Sequence, residues 1–236
     1  MRMIIWGRKT LLASLMLLVA INGMAQKKIN DFANFGRYHQ SNLEWQAKPN
    51  DGKRVVFMGN SITDGWYNIH PDFFKSHGFI GRGISGQTSY QMVLRFHEDV
   101  IGIGAKVVVI NCCTNDIAQN NHEYVEDRGF QNLETMCEMA KAYKVKVVLT
   151  SITPCAGYRW NTDITDVVAK ITHFNARVQE YAKKHKIPYV DYFAAMSNEQ
   201  GGMRDGLHQG DGCHPNAAGY DVMEPLVLEA IRKYVK

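Results

Sequence analysis

The chain has 236 residues, of which 45% are hydrophobic and 21% are charged, and its formal net charge is +4. This length favours one large domain or two small ones, and the apolar fraction excludes an intrinsically disordered chain. Positive charge would suit a nucleic-acid partner, but three of the basic residues lie in the first 25 residues, which contain no acid. The remaining sequence has 24 basic and 23 acidic residues, so we expect no nucleic-acid partner.

Residues 1–25 have the pattern of a secretory signal peptide. Basic residues precede an apolar run from Leu11 to Ile21, and Gly23-Met24-Ala25 places small residues three and one positions before a cleavage site. The run of about 11 residues is shorter than the roughly 20 needed to cross a bilayer, and no cysteine stands at the cleavage site to carry a lipid anchor. The sequence predicts export to the periplasm or the medium, with no stable membrane insertion after cleavage.

Residues 26–50 are polar with scattered aromatic residues, which predicts an N-terminal arm packed on the domain that follows. Residues 51–236 then alternate between β-branched runs and segments with apolar residues at helical spacing. The runs are nearly continuous in apolar residues, as expected for strands buried on both faces. They cover residues 54–58, 79–80, 106–110, 146–150 and 187–190.

The segments between the runs have apolar stripes typical of helices that pack on a sheet. These stripes cover residues 92–100, 136–143, 171–181 and 222–230. Alternating strands and helices predict an α/β fold, a three-layer α/β/α sandwich with a five-stranded parallel sheet. No linker or internal repeat divides residues 51–236, so we expect one domain there.

Four polar segments follow strands or precede the last helix. They are Gly59–Trp66, Gly81–Ser89, Asn111–Asp116 and Asp211–Asn216. Ligands of open α/β sheets bind beyond the carboxyl ends of the strands. We therefore expect all four segments at one rim of the sheet, where a functional site would lie.

Ser61 in the first segment is a candidate nucleophile. A serine hydroxyl becomes reactive when a base lies within hydrogen-bond reach, and His214 can supply that base. Asp211, three residues earlier, can accept a bond from the other imidazole nitrogen and fix the tautomer. Taken alone, each feature also fits a structural role, Ser61 as a turn serine and Asp-x-x-His as a loop contact.

The glycine-rich segment Gly81-x-Gly83-x-x-Gly86 allows two interpretations. It has the spacing of a dinucleotide-binding loop, but it follows the second strand and no phosphate-binding lysine accompanies it. The alternative is that the Gly86 amide points at a developing oxyanion. The Ser61 amide and the Asn115 side chain can donate to the same oxyanion.

Together and in this order, the four segments resemble the GDSL/SGNH hydrolase family, whose Ser, Gly, Asn and His fall on Ser61, Gly86, Asn115 and His214. The sequences G-N-S-I-T-D-G-W, G-I-S-G-Q-T-S, T-N-D and D-G-C-H-P-N-A-A-G-Y are most similar to its platelet-activating-factor acetylhydrolase-like branch. The resemblance runs from about Arg54 to the last helix. It implies a flavodoxin-like sandwich and hydrolysis of esters or thioesters without a metal or an organic cofactor.

Two positions depart from the family's pattern within the four segments. Asn60 stands where the family has the aspartate of G-D-S, which leaves the serine in place. Cys113 stands where glycine is usual before the asparagine, so we expect the backbone near Asn115 to be less permissive or slightly displaced.

A second Asp-x-x-His pair, Asp205 and His208, lies six residues before Asp211 and His214. The later pair is favoured because the residues after it lead into the last helix as they do in the family. His208 is then a loop residue near the pocket.

Several residues near the rim are candidates for substrate binding, although packing alone also accounts for them. They are Trp66, Arg82, Tyr158, Trp160 and His208. The aromatic faces could stack on sugar rings, and the arginine could bind an acidic group.

The five cysteines form no Cys-x-x-Cys pair, and no His-x-x-x-His spacing accompanies them, so the sequence indicates no metal site. Cys155 and Cys213 are expected near the same edge of the sheet. A disulfide between them and a pair of free thiols both stay open.

The sequence as a whole predicts an exported serine esterase that removes short acyl groups, of the acetyl type, from carbohydrates through an acyl-enzyme. A lipid acetylhydrolase or lysophospholipase of the same family is an alternative. A noncatalytic carbohydrate-binding protein on this scaffold is another. The expected partner is a small-molecule or carbohydrate ester, and the oligomeric state cannot be read from the sequence.

Overall fold

The computed structural model describes residues 31–235 of the chain. The predicted signal peptide, residues 1–25, lies outside the described residues. The described part begins with the arm, which contains a 3-10 turn at Phe35–Arg37 and helix α1 at His39–Ala47. Within residues 31–235, the helices are too short or too polar to cross a bilayer.

Five parallel strands form one sheet. They are β1 (Val55–Gly59), β2 (Ile80–Gly83), β3 (Val107–Ile110), β4 (Lys146–Thr150) and β5 (Tyr189–Val190). Their order across the sheet is β2-β1-β3-β4-β5, with every neighbouring pair parallel. This is the flavodoxin-like order, and it confirms the predicted five-stranded fold.

Eight helices follow α1 in the described part of the chain. They are α2 (Ser61–Ile69), α3 (Pro71–His77), α4 (Ser89–Phe96), α5 (Thr114–Ile117), α6 (Glu126–Ala142), α7 (Val167–His185), α8 (Tyr192–Met196) and α9 (Ala217–Arg232). One π-helical turn, His97–Ile101, continues α4. The stripe predicted over residues 136–143 ends early, because Tyr143 caps α6 and its side chain is 56% exposed.

Alternate side chains of each strand point to opposite faces and build two separate cores. Val56 and Met58 of β1 face the core shared with α4, α6 and α7. Val55 and Phe57 face the core shared with α2, α3, α8 and α9. The strands are therefore buried on both faces, as their continuous apolar runs predicted, and the three layers are those of an α/β/α sandwich.

The arm is attached to the domain through polar contacts. Within α1 the buried residue is Asn42, whose side chain donates to Asp99 at 2.7 Å and accepts from Arg82 at 2.9 Å. Gln87 donates to the Ala33 carbonyl at 2.7 Å. Since Gln87 belongs to the glycine-rich segment, the arm is connected directly to the predicted rim.

Strand register brings the carboxyl ends of the first three strands together. Gly59 at the end of β1 lies beside Gly83 at the end of β2, and Met58 lies beside Ile110 at the end of β3. The polar segments that follow these strands therefore meet at one edge of the sheet.

Candidate active site

Ser61 is the first residue of α2, directly after β1. The preceding residue, Asn60, caps the helix by accepting a hydrogen bond from the Ile62 amide at 3.1 Å. Gly59 is required because a Cβ there would lie 2.0 Å from the Thr63 Oγ1 atom. Glycine therefore allows the first turn of α2 to pack closely on the end of the strand.

His214 and Asp211 lie opposite Ser61 in the loop before α9. The Ser61 Oγ and His214 Nε2 atoms are 2.9 Å apart, and His214 Nδ1 is 2.5 Å from Asp211 Oδ2. The other carboxylate oxygen, Oδ1, accepts hydrogen bonds from the amides of Cys213 and His214, both at 2.9 Å. This geometry favours the tautomer with hydrogen on Nδ1, which leaves Nε2 free to accept a proton from Ser61.

The contacts of Asp211 keep its carboxylate ionised. Partial burial raises the pKa of this carboxyl group, but hydrogen bonds from the Cys213 amide and from His214 outweigh burial, and the net pKa lies below its ordinary value. A negative charge beside Nδ1 stabilises the imidazolium that would form when His214 takes a proton.

The second Asp-x-x-His pair has a different environment. Asp205 is fully exposed, and its Oδ1 atom lies 3.9 Å from His208 Nε2. The Nδ1 atom of His208 accepts hydrogen bonds from the Gly210 and Gly212 amides at 2.9 and 3.2 Å. His208 therefore shapes the loop that carries Asp211. The residues that line the cleft do not include His208, so its predicted role in substrate binding finds no support there.

Three possible oxyanion donors belong to residues that line the space beside Ser61. The Ser61 amide is at the N-terminus of α2, where amides have no partner within the helix. Gly86 has φ of +78°, a left-handed conformation that favours glycine. The Nδ2 atom of Asn115 donates to the Gln87 carbonyl at 2.9 Å, which leaves its second hydrogen for a ligand. All three residues line one cleft together with His214.

The Asn115 segment is braced against the glycine-rich segment by the next residue. Asp116 accepts hydrogen bonds from the Ser89 amide at 2.9 Å and the Ser89 hydroxyl at 2.5 Å. Cys113 has φ of +76°, so a cysteine takes the left-handed conformation that glycine would take more easily. Cysteine in place of the family's glycine therefore leaves Asn115 in the cleft. The unfavourable backbone conformation is that of Cys113 itself.

The cleft beside Ser61 has a volume of about 500 Å³, and most of its lining residues have polar side chains. Its other lining residues are Asp64, Gly65, Asn68, Ser85, Asn120, Trp160 and Gln209. Trp160 is 45% exposed, its ring centre lies 5.6 Å from that of His214, and its Nε1 atom donates to Asn120 at 2.8 Å. The indole is thus held beside the His214 imidazole with much of its surface open to a ligand.

Three of the predicted substrate-binding residues are structural. Trp66 belongs to α2 and is 2% exposed, stacked between Phe73 and Tyr220. The expected position of Trp66 at the rim is wrong, because the helix that starts at Ser61 turns this side chain toward the sheet. Tyr158 is in a rim loop, but its side chain is buried in the core.

Arg82 is also buried and does not face the cleft. Its guanidinium donates to Asn42 at 2.9 Å and to Ser41 at 3.2 Å, both in α1. The guanidinium is therefore bound to the arm, and Arg82 does not line the cleft beside Ser61, where it was expected to bind an acidic substrate group. Its role is to anchor the arm.

A buried arginine that was not predicted from the sequence stabilises the end of the strand before Ser61. Arg95 of α4 donates to the carbonyls of Gly59 and Arg82 at 2.8 and 2.9 Å, and to Asp99 at 2.7 Å. It also donates to Gln87 at 2.6 Å. The spacing of Arg95 to Asp99, four residues along a helix, is the sequence signal for this pair. It lies within an apolar stripe, which by itself predicts only a buried helix face.

Cys155 and Cys213 are both buried free thiols. They lie close enough to influence each other, since the neighbouring Cys213 lowers the pKa of Cys155 while Cys155 raises the pKa of Cys213. The sequence left open a disulfide or a pair of free thiols, and the structure has the free thiols.

One group of side chains could hold a cation, but it does not line the cleft. His70 Nδ1 lies 2.8 Å from Glu224 Oε1 and 3.9 Å from Asp221 Oδ1. The same Glu224 oxygen accepts a hydrogen bond from the Trp66 indole at 3.2 Å. These contacts connect α9 to α2 and to its C-cap residue, His70. Contacts between the two helices therefore explain why these side chains lie together.

Comparison with known proteins identifies a family whose model covers the residues of this site. The family model of the GDSL-like lipase/acylhydrolase family matches residues 57–222, which include Ser61, Gly86, Asn115, Asp211 and His214. An acylhydrolase candidate from Bacteroides fragilis is 52% identical, with 87% of this chain and 99% of that one covered and a TM-score of 0.84. A GDSL-like lipase from Bacteroides thetaiotaomicron is 50% identical, with 86% and 98% covered and a TM-score of 0.82.

The name of a more distant relative states its substrate. An acetylxylan esterase from Xylanibacter ruminicola is 27% identical over 249 residues, which cover 85% of this chain and 49% of the relative. The chain therefore spans about half the length of that protein.

Proposed function

The chain belongs to the GDSL-like lipase/acylhydrolase family, and from this premise we propose that it is an exported serine esterase that removes acetyl-type groups from carbohydrates. The observation that carries the proposal is the connected set Ser61, His214 and Asp211, with spacings of 2.9 and 2.5 Å. Export rests on the sequence of residues 1–25.

In the first proposed step, Ser61 Oγ attacks the carbonyl carbon of the ester while its proton moves to His214 Nε2. The negative charge that forms on the carbonyl oxygen is stabilised by the Ser61 and Gly86 amides and by the Asn115 side chain. Losing one such donor typically costs about 2.7–4 kcal/mol of transition-state stabilisation.

The intermediate then collapses, and the bond to the alcohol oxygen breaks. His214 gives its proton to that oxygen, so the sugar hydroxyl leaves neutral and the acyl group stays on Ser61. Water attacks the acyl-enzyme as His214 accepts one of its protons. The acid leaves, and the proton returns to Ser61.

The cleft wall supports a carbohydrate rather than a lipid as the alcohol part. Asp64, Asn68, Asn120 and Gln209 offer hydrogen-bond partners for hydroxyl groups, and Trp160 offers an apolar face. The hydrocarbon chain of a lipid alcohol would need a continuous apolar wall. The acetylxylan esterase of Xylanibacter ruminicola acts on an ester of this class, which supports the same choice.

A substrate screen tests the proposal. The processed protein is expected to release acetate from acetylated xylo-oligosaccharides and from nitrophenyl acetate, and to release little acid from short-chain phospholipids. Ser61→Ala should keep the fold and lose turnover by about 10⁴-fold or more. Ser76→Ala, an exposed serine of α3, is the matched control and should keep full turnover.

Two outcomes would contradict the proposal. Retained turnover in Ser61→Ala would overturn the nucleophile. Sugar binding by a protein whose Ser61 does not react with a fluorophosphonate probe would favour the noncatalytic alternative.

A further inference from the structure

A second cavity adjoins the catalytic cleft at the edge where the arm meets the domain. It has a volume of about 270 Å³ and shares Asp64 and Asn68 with the cleft. The arm contributes Arg37, Tyr38, Ser41 and Trp45 to its wall, and the domain contributes Tyr67. Because the two cavities have a common wall, a ligand bound beside Ser61 and longer than one unit can extend across Asp64 into the second cavity.

Tyr67 gives the second cavity an aromatic surface. Its side chain is 44% exposed, as Trp160 is 45% exposed in the catalytic cleft. The Tyr67 ring lies against Gly81, where an added Cβ would come within 2.9 Å of the Cδ2 atom, and its centre is 5.2 Å from that of Phe74. The domain thus fixes one side of the ring, while the rest of it stays open.

Polar groups surround this aromatic surface. Asp64, at the junction of the cavities, accepts a hydrogen bond from Ser85 at 2.7 Å and lies 3.5 Å from the half-exposed Arg37. A 3.5 Å ion pair with a half-exposed arginine contributes little to stability, so Arg37 can exchange this contact for hydroxyl groups of a ligand. An apolar ring face beside several hydroxyl partners is the complement of a pyranose, which has one apolar face and a polar edge.

We propose that the arm and Tyr67 form a second sugar-binding subsite, so that the substrate is an acetylated oligosaccharide or polysaccharide chain rather than a small acetylated alcohol. The inference rests on the proposed carbohydrate esterase function. It assigns a role to the arm, which Arg82 and Asn42 hold in place although α1 buries little apolar surface. Trp160 and Tyr67 then bind sugar units on the two sides of Asp64.

The chain-length dependence of the reaction tests the subsite. The wild-type protein is expected to have a higher kcat/KM for acetylated xylotetraose than for an acetylated xylose monosaccharide. Tyr67→Ala should lower the value for the tetrasaccharide by roughly three- to tenfold, as expected for loss of one aromatic contact, and bring the ratio of the two values toward one. Tyr67→Phe keeps the ring and should keep the ratio.

Two further variants check that the loss comes from the ring. Gly81→Ala should displace the Tyr67 ring and lower the same ratio. Tyr143→Ala removes another exposed tyrosine, at the C-cap of α6, and should leave the ratio unchanged.

The outcomes separate the two proposals. If the wild-type protein releases acetate from both saccharides with equal kcat/KM, or if Tyr67→Ala lowers both values equally, the subsite is overturned and the esterase function stands. If it hydrolyses nitrophenyl acetate and neither saccharide, both the carbohydrate substrate and the subsite fall.

Discussion

The guanidinium of Arg95 donates a hydrogen bond of 2.8 Å to the carbonyl oxygen of Gly59, so a fully buried side chain holds the end of the strand that precedes Ser61. The same guanidinium reaches the Arg82 carbonyl at the neighbouring strand and Gln87 beside Gly86. One charged group therefore connects the nucleophile segment with the oxyanion segment. Its charge is balanced inside the domain by Asp99.

Replacing Arg95 by methionine is expected to lower the free energy of unfolding by about 3–5 kcal/mol, because Asp99 would stay buried without its partner. Urea denaturation of wild type and variant measures this difference. Arg232→Met is the matched control, since Arg232 forms an exposed pair with Glu229 and should cost about 1 kcal/mol or less. Equal losses in the two variants would contradict the structural role of Arg95.

Replacing Asp211 by asparagine is expected to reduce kcat/KM for nitrophenyl acetate by about 10²- to 10⁴-fold. The amide can no longer hold His214 in the required tautomer or stabilise its charge. Asp205→Asn is the control, because Asp205 is fully exposed and belongs to the other Asp-x-x-His pair. It should stay within about twofold of wild type. The reverse ranking of the two variants would move the catalytic acid to Asp205.

Cys113→Val is expected to cost more stability than Cys112→Val. Both cysteines are buried, but Cys113 has φ of +76°, where a β-branched side chain is strongly disfavoured. The difference in the free energy of unfolding should be about 1–3 kcal/mol, measured by thermal or urea denaturation. Equal costs would show that side-chain volume, rather than backbone conformation, limits this position.

His122→Gln is expected to destabilise the protein more at about pH 5.5 than at about pH 9. The nearby Asp116 carboxylate, 3.5 Å away, raises the pKa of His122 in the folded protein. A raised histidine pKa gives stability that is fully present below the ordinary value of about 6.5 and is lost as the pH rises through the folded value. Urea denaturation at the two pH values measures the change.

The control for this pH dependence is His39→Gln. His39 is exposed at the start of α1, and its substitution should have the same small effect at both pH values. If His122→Gln also had equal effects at both, the pair with Asp116 would contribute no pH-dependent stability.

The strands and their burial could be predicted from the sequence because continuous apolar runs are a local property. Val107 to Ile110, for example, form a central strand buried on both faces. The residues that face a ligand could not be predicted as well. Trp66 and Arg82 belong to two of the polar segments at the strand ends, but the helix phase and the arm bury both. Tyr67, one residue further, is the aromatic side chain that reaches the surface.

The sequence by itself determined the fold class and the four polar segments at the strand ends, because local spacing and composition decide where strands and helices form. It also identified Ser61, Asn115 and His214 as residues to bring together. Only the tertiary structure decided which aromatic side chains are exposed and that Arg95 lies beneath Ser61. It also decided that the arm lines a cavity next to the cleft. These properties depend on contacts between residues far apart in the chain, such as Tyr67 with Gly81 and Arg82 with Asn42, and no local pattern records those contacts.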